Sequence, residues 1–394
     1  MTSISADPTP RLTGRIDGVD LLRALAIFFV LMNHVHMRLL IAQVPYSNSI
    51  PRQLFSSLVW NGQFGVQIFF AVSGFLITST TLRRWGSLSQ VSVRGFYLMR
   101  FARIAPLLIL LLISLSVLHV ARVPHFVVST RTGGLGRALF AALTFHVNVL
   151  EARRGYLPGN WDILWSLSVE EVFYLLFPLV ARFFGRGKLL VILLATLVGI
   201  GPFARTLLAQ GNEVWKEYSY LGGMDAIALG CLTALLLSRV RFGRRSLWIV
   251  ASIGAVLLII ILGFTLRVES SFVGHTGLDM TILALGTCML IAVAAQTNWS
   301  CPSILRPILN LGQRSYEVYL THMFVVFALF QLFVLAGEPM KAVPLLFLFT
   351  VLLSGLIGET VARFYSEPMN RLIREHWRAS HRGLAPPLNP ASSA

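Results

Sequence analysis

Charge is scarce in this chain of 394 residues, and acid is scarcer still. Asp and Glu number 17 and Lys and Arg 33, together 13% of the residues, about half the share a soluble globular domain carries. Set against 55% hydrophobic residues, that shortage excludes a water-soluble enzyme. The abundance of Leu, Ile, Val and Phe excludes a disordered chain. Cysteine is nearly absent: Cys231 and Cys288 fall in apolar runs and Cys301 in a short connection. They supply neither a disulfide framework nor metal-ligand spacing, and no metal site is expected. A Gly-rich phosphate loop, an HExxH pair and a GxSxG elbow are all missing, as are internal repeats and heptads. The first eighteen residues are polar and no small-residue cleavage site follows the first apolar run, so a removable signal peptide is not expected.

What the chain has is long hydrophobic runs, and mean hydropathy is +0.71. Ten of them are of the length that crosses a hydrocarbon core, at approximately 19–42, 64–82, 104–120, 163–183, 189–208, 220–238, 247–266, 278–296, 316–337 and 343–363. The reading is an all-α polytopic membrane protein. Segment 136–150 is an eleventh candidate, but it is shorter and carries Arg137, His146 and Asn148. The net charge of +16 would point a soluble protein towards nucleic acid. Here the Lys and Arg cluster between runs, so the partner is the bilayer and nucleic acid is not expected. With ten spans, alternate connections place 21 of the 33 basic residues on one side and nine on the other, with Arg23, Arg38 and Arg205 inside spans. Counting 136–150 as a span would turn the Arg182, Arg239 and C-terminal clusters outward. The positive-inside rule therefore favours ten spans with both termini cytoplasmic. This gives a cytoplasmic tail 1–18, a membrane domain 19–363 with one long external loop 121–162, and a cytoplasmic tail 364–394. An interfacial or re-entrant helix would occupy part of that loop.

Ionisable residues inside spans cost about 2.5–3.5 kcal/mol each on insertion scales and are functional candidates by default. Arg23 and His34 lie eleven residues apart, so they share a face of the first span at depths about 16 Å apart. Arg23 as a snorkelling anchor and His34 as a satisfied core histidine is the plainer alternative. His36 points away from His34 and reads as structural. In the fourth span Ser166, Glu170 and Tyr174 recur at four-residue spacing and share a face. Glu170 lies about 10 Å below the outer surface, level with His34, which makes the two a candidate acid–base pair. Glu171, turned about 100° away, reads as a helix contact. Ser73 and Gly74 are small residues that let helices approach, and Ser73 as a nucleophile would need an adjacent base. Arg100 and Arg103 suit a phosphate as well as they suit topological anchoring. Ser315, Tyr319 and His322 share a helix face, with His322 expected near the level of Arg23. Asp225, Glu359 and Glu367 complete the set and read individually as structural.

Taken in order, these residues resemble the acyltransferase-three family of integral-membrane O-acyltransferases. The resemblance runs through Asp20-Leu21-Leu22-Arg23 with His34, Phe69-Phe70 to Ser73-Gly74-Phe75, and Arg100-x-x-Arg103-Ile104-x-Pro106. It continues through Trp165-Ser166-Leu167 to Glu170 and Phe173-Tyr174, Asp225 to Gly230, and Ser315-Tyr316 to Tyr319-Leu320 and His322. It implies transfer of an acyl group, commonly acetyl, from cytoplasmic acyl-coenzyme A (acyl-CoA) to a hydroxyl of a carbohydrate or other small acceptor, in the cell inner membrane and with no bound cofactor. Two departures stand out. Gln67 occupies a position where many members have Asp. Only some thirty residues follow the last span, whereas some members carry a C-terminal esterase-like domain, so the chain is expected to act with the membrane domain alone or with a separate partner.

On that resemblance His34 and Glu170 are the expected catalytic residues, His34 as general base or transient acyl carrier and Glu170 orienting its ring. Arg23, Arg100 and Arg103 are expected on the donor's phosphates, and Ser73, Tyr174, His322 and Tyr319 as further substrate- or donor-binding residues. The acceptor would arrive from the external loop; Trp60 and Trp161 near that surface could stack on a sugar, with interfacial anchoring the default reading. Two rivals are acylation of a cytoplasmic small molecule, such as a macrolide or lipo-oligosaccharide, and a transporter or flippase. The second lacks paired inverted halves.

Overall fold

In lipid every backbone polar group must find its partner within the protein, and a helix does so within its own segment. The computed structural model accordingly describes residues 15–46, 51–297 and 299–380 as helices and connections, with no strand among them. Residues 1–14 and 381–394, most of the first expected tail and the end of the second, lie outside the described residues.

Ten helices are long and apolar enough to cross a membrane, and each coincides with an expected span. They are α1 (Asp17–Ile41), α2 (Gly62–Trp85), α3 (Val93–Val120), α4 (Leu164–Phe184), α5 (Lys188–Arg205), α6 (Tyr220–Leu237), α7 (Arg244–Gly263), α8 (Leu278–Gln296), α9 (Ser315–Leu335) and α10 (Val343–Val361). Their ends are written in the sequence. Asp17 and Asp20 occupy the first turn of α1 and Arg38 its last, each complementing the helix dipole. Ser92 and Ser219 cap α3 and α6 by accepting the amides of Gly95 and Gly222, both at 3.2 Å. The segment 136–150 does not cross: helix Gly134–Leu143 stops before Phe145, whose φ is +57°, and a second short helix starts at Val147. A left-handed non-glycine residue ends the helix there. Trp161 is 0% exposed, so it is a packing residue and does not offer a face to a sugar; Trp60 meets His36, itself hydrogen-bonded to Tyr46 at 2.8 Å.

Two close approaches fix the bundle. A Cβ on Gly74 would lie 1.9 Å from the Ile227 carbonyl oxygen, and one on Gly230 would lie 2.0 Å from that of Ala71. The α2 and α6 backbones therefore touch, as small residues permit in membranes, and Gly74 does what the sequence reading asked of it. At the second, a Cβ on Gly312 would lie 1.8 Å from the Asp20 carbonyl oxygen. The short helix Arg306–Gln313 thus packs on α1 at Asp20, and α9 begins inside the bundle rather than at its surface.

Beyond α10 the chain stays helical. Residues Ala362–Ser366 wind as a π turn and α11 follows from Glu367 to Ser380, so the start of the expected 364–394 tail is a folded element. Arg15 and Arg374 line the same cavity, which puts both described chain ends on one face, as an even number of crossings requires.

Candidate active site

Two adjoining cavities lie towards that face and share part of their lining. The outer, of about 520 Å³, is lined by six arginines against three carboxylates. The inner, of about 270 Å³, runs between α2, α3, α4 and α9. Arg23, Arg103 and Arg374 line both. Arg23 is no snorkelling anchor: it is 8% exposed and donates to Asp20 at 3.1 Å.

The shared face of α4 points into the inner cavity, which Ser166, Glu170 and Tyr174 all line. Glu170 Oε1 accepts from Ser73 Oγ and from Tyr174 OH, the latter at 2.5 Å. Arg100 lies over the Tyr174 ring, 3.9 Å from its centre, a cation–π contact that leaves its N–H groups for a ligand. Ser73 is therefore more than a packing residue, although the carboxylate beside it is what it donates to. Glu171, read as a helix contact, also lines the cavity; it is 7% exposed and its Oε1 has no hydrogen-bond partner. Nothing in its spacing announced this, but a second carboxylate in a span is a signal by itself.

The expected pairing of Glu170 with His34 is not formed. His34 meets His322 instead, ring centres 4.9 Å apart and edge to face. Rise per residue gave the depth of Glu170 but not its bearing, and α9 is the helix that touches both neighbours: His322 meets His34 on α1, and Tyr319 OH meets Ser166 Oγ on α4 at 2.6 Å. His322 also stands higher than expected, at the level of the His34 ring it meets on α1 rather than at that of Arg23. Each imidazole gives its Nδ1 hydrogen to a carbonyl, His34 to Val30 and His322 to Tyr319, both at 2.7 Å. A carbonyl can only accept, so in each ring Nε2 carries the lone pair. His322 Nε2 is buried without a partner. Among the described residues neither histidine lines the two cavities; Tyr319 lines the inner one and its ring lies 5.8 Å from that of His322.

On the other side of His34 stands the loop 121–162. One turn past His34, Arg38 lies over the Phe327 ring at 5.0 Å, and His125 of the loop stacks on the same Phe327 with centres 5.2 Å apart. Deeper in the loop, Glu151 accepts the Leu157 amide at 2.9 Å; burial, then the nearby Asp162, hold its carboxyl well above the usual range. No group of three or more metal-ligating side chains occurs among the described residues.

Gln67 belongs elsewhere. It donates to Asp225 Oδ1 at 2.9 Å, while Asp225 Oδ2 takes Arg205 Nη2 at 2.8 Å and Thr281 at 2.6 Å. Arg205 also donates to the carbonyls of Gly277 and Gly222. This is a closed network joining α2, α5, α6 and α8.

Comparison with known proteins agrees with this architecture. The profile of a family described as an acyltransferase domain matches residues 16–359. An O-acetyltransferase OatA of Staphylococcus aureus is 22% identical over 370 residues, covering 90% of this chain and 57% of that protein. A peptidoglycan O-acetyltransferase OatA of Listeria monocytogenes is 25% identical over 331 residues, covering 78% of this chain and 49% of that protein. The chain thus spans about half the length of these relatives. No solved structure matches it. With most of its length matched by that profile, the chain belongs to the acyltransferase-three family of membrane proteins.

Proposed function

We propose that this chain is an O-acyltransferase of the cell inner membrane that moves an acyl group, commonly acetyl, from acyl-CoA to a hydroxyl of a cell-envelope carbohydrate. The observation that carries the reading is the pair of adjoining cavities: a larger basic one at the face holding both described chain ends, and a smaller, mostly apolar one lined by Tyr319, whose ring neighbours that of His322, itself set against His34. Acyl-CoA has the same order of parts, phosphates at one end and a thioester at the tip of a slender arm. O-acetyl transfer in the names of the relatives, and peptidoglycan in one of them, point to the acceptor class.

In this account the basic face is cytoplasmic, as the positive-inside rule favours. Arg100 and Arg103, with Arg23, hold phosphates by charge-assisted hydrogen bonds. The arm lies along Ser73, Tyr174 and Tyr319. The acceptor arrives from the loop above Arg38. His34 Nε2 takes the proton of the acceptor hydroxyl as its oxygen bonds to the acyl carbon; the carbon–sulfur bond breaks and the thiolate leaves, to be protonated as coenzyme A. His322 crowds the same imidazole and limits its orientation. Glu170 acts as a positioning residue, holding the hydroxyls of Ser73 and Tyr174, and through Tyr174 the stacked Arg100.

The test is purified protein in detergent with radiolabelled acetyl-CoA, with and without a carbohydrate polymer. Label leaving coenzyme A and appearing on the polymer supports the reading. Protein that neither binds nor consumes acetyl-CoA would remove the donor from the account. Product formed only with small cytoplasmic acceptors would replace the envelope substrate.

A further inference from the structure

The donor reading leaves one wall of the outer cavity without a task. That wall comes from the C-terminal end of the chain. Ser366, at the end of the π turn, and Asn370 and Arg374 on α11 are spaced by four residues and lie on one helix face. All three line the outer cavity. All three also present a buried polar atom with no hydrogen-bond partner: Ser366 Oγ, Asn370 Oδ1 and Arg374 Nε. Buried polar atoms in folded proteins are nearly always satisfied, so three orphans in one row facing one cavity call for a ligand.

The element that carries them is held in place. Arg314 bridges Glu359 of α10, at 2.7 Å, and Glu367 at the start of α11. Tyr365 donates to the Pro106 carbonyl of α3 at 3.1 Å. Glu367 is thereby neutralised by a partner, whereas Arg374 faces the cavity with no acidic partner among the described hydrogen bonds and ion pairs. The inner cavity also reaches Arg374, so this arginine stands where the two spaces join. A guanidinium, a carboxamide and a hydroxyl in a row offer a phosphate donor, a two-way hydrogen-bonding group suited to the edge of a purine, and a small group for a ribose or phosphate oxygen.

We propose that this face of α11 holds the nucleotide end of acyl-CoA, with Arg374 on a phosphate, Asn370 on the adenine edge and Ser366 on the ribose phosphate. The C-terminal helix is then part of the donor site, joined to α10 through the π turn. This inference rests on the donor reading above.

The experiment compares equilibrium binding of radiolabelled coenzyme A to wild type, Arg374→Ala and Asn370→Ala, and turnover of acetyl-CoA against acetyl-pantetheine, which lacks the nucleotide. Arg374→Ala should weaken coenzyme A binding about tenfold or more, the loss of one charge-assisted contact, and Asn370→Ala about fivefold, the loss of a neutral one. Neither should change the KM for acetyl-pantetheine. Adenosine 3′,5′-bisphosphate should compete with coenzyme A in wild type and compete more weakly in Arg374→Ala. Unchanged coenzyme A binding in both variants would overturn the inference while leaving the donor reading intact. Equal losses with acetyl-pantetheine would overturn it too, marking α11 as a structural strut. If anionic lipid displaces coenzyme A from wild type and adenosine bisphosphate does not, the row is a lipid headgroup site. Wild type that does not bind coenzyme A at all would remove the donor reading and this inference together. If Arg374→Ala does not fold, Asn370→Asp, which sets a negative charge before the same phosphates, should weaken binding at least as much as Asn370→Ala.

Discussion

Two buried polar regions lie side by side in this bundle, and they are built on opposite plans. Around Arg205 and Asp225 every charge is spent: the guanidinium reaches a carboxylate, two carbonyls and the Thr281 hydroxyl, and the carboxylate takes Gln67, Arg205 and Thr281. Around Glu170 the polar groups are left open. Arg100 rests on a ring and Glu171 keeps an unpartnered atom, both lining the inner cavity, and His322 keeps another behind Tyr319. Both regions carry the ionisable residues that lipid disfavours. The closed one ties helices together, and the open one lines the cavity in which the proposed donor would lie. Burial alone does not mark a site in a membrane protein; unspent hydrogen-bonding capacity beside a cavity does.

Substitutions can break that comparison, and the largest expected effect is on folding. Asp225→Ala leaves Arg205 buried without its counter-charge, and should cost about 3–5 kcal/mol, read as a lower melting temperature in detergent. If the melt does not move, the network is not what joins α5, α6 and α8. Arg103→Ala, in the open region, should leave the melt unchanged and raise the donor KM about tenfold or more at similar kcat, since a lost charge-assisted contact is worth about 1.5–3 kcal/mol. A fall in kcat with constant KM would instead assign Arg103 to the chemical step. Ser73→Ala removes one of the two hydroxyls on Glu170 and should lower kcat by about fivefold, near 1 kcal/mol; turnover equal to wild type would free Glu170 from its positioning role.

The smallest effect sharpens the contrast outside the membrane. Glu151 is buried in the loop 121–162 with its carboxyl pKa raised above the ordinary range by burial and by Asp162. A raised acid is favoured neutral in the folded state, so its contribution is complete below the usual carboxylate range and lost as pH rises through the folded value. Glu151→Gln should flatten that loss, measured as melting temperature against pH. A slope equal to that of wild type would mean that Glu151 is not the titrating group.

Much of this was legible in the sequence, and the limits of the reading are physical. The ten spans follow from run length, and the refusal of 136–150 to cross follows from where the arginines lie. The shared faces of Ser166, Glu170 and Tyr174, and of Ser315 and Tyr319, follow from helical periodicity. Periodicity gives a bearing on one helix, however, not the neighbour it meets. Depth counted from a helix start fails when the start itself is sunk, as Gly312 against Asp20 sinks that of α9, and His322 meets His34 rather than lying level with Arg23. Level alone pairs Glu170 with His34, whereas its bearing gives it Ser73 and Tyr174 as partners. The role of Arg374 is hidden among the charges of the C-terminal segment, because nothing in composition tells a tail from a helix that packs on the bundle.

The central claim is that His34 carries out the proton transfer. Its most direct test is release of label from acetyl-CoA by His34→Ala protein, measured in detergent with acceptor present and on material whose melting temperature matches wild type. Removing a general base should lower turnover by about 10²–10⁴-fold while coenzyme A binding, which belongs to the arginines, stays within about twofold of wild type on the same scale of reasoning. Turnover by His34→Ala within a few-fold of wild type would contradict the account and move the chemistry away from the histidine pair.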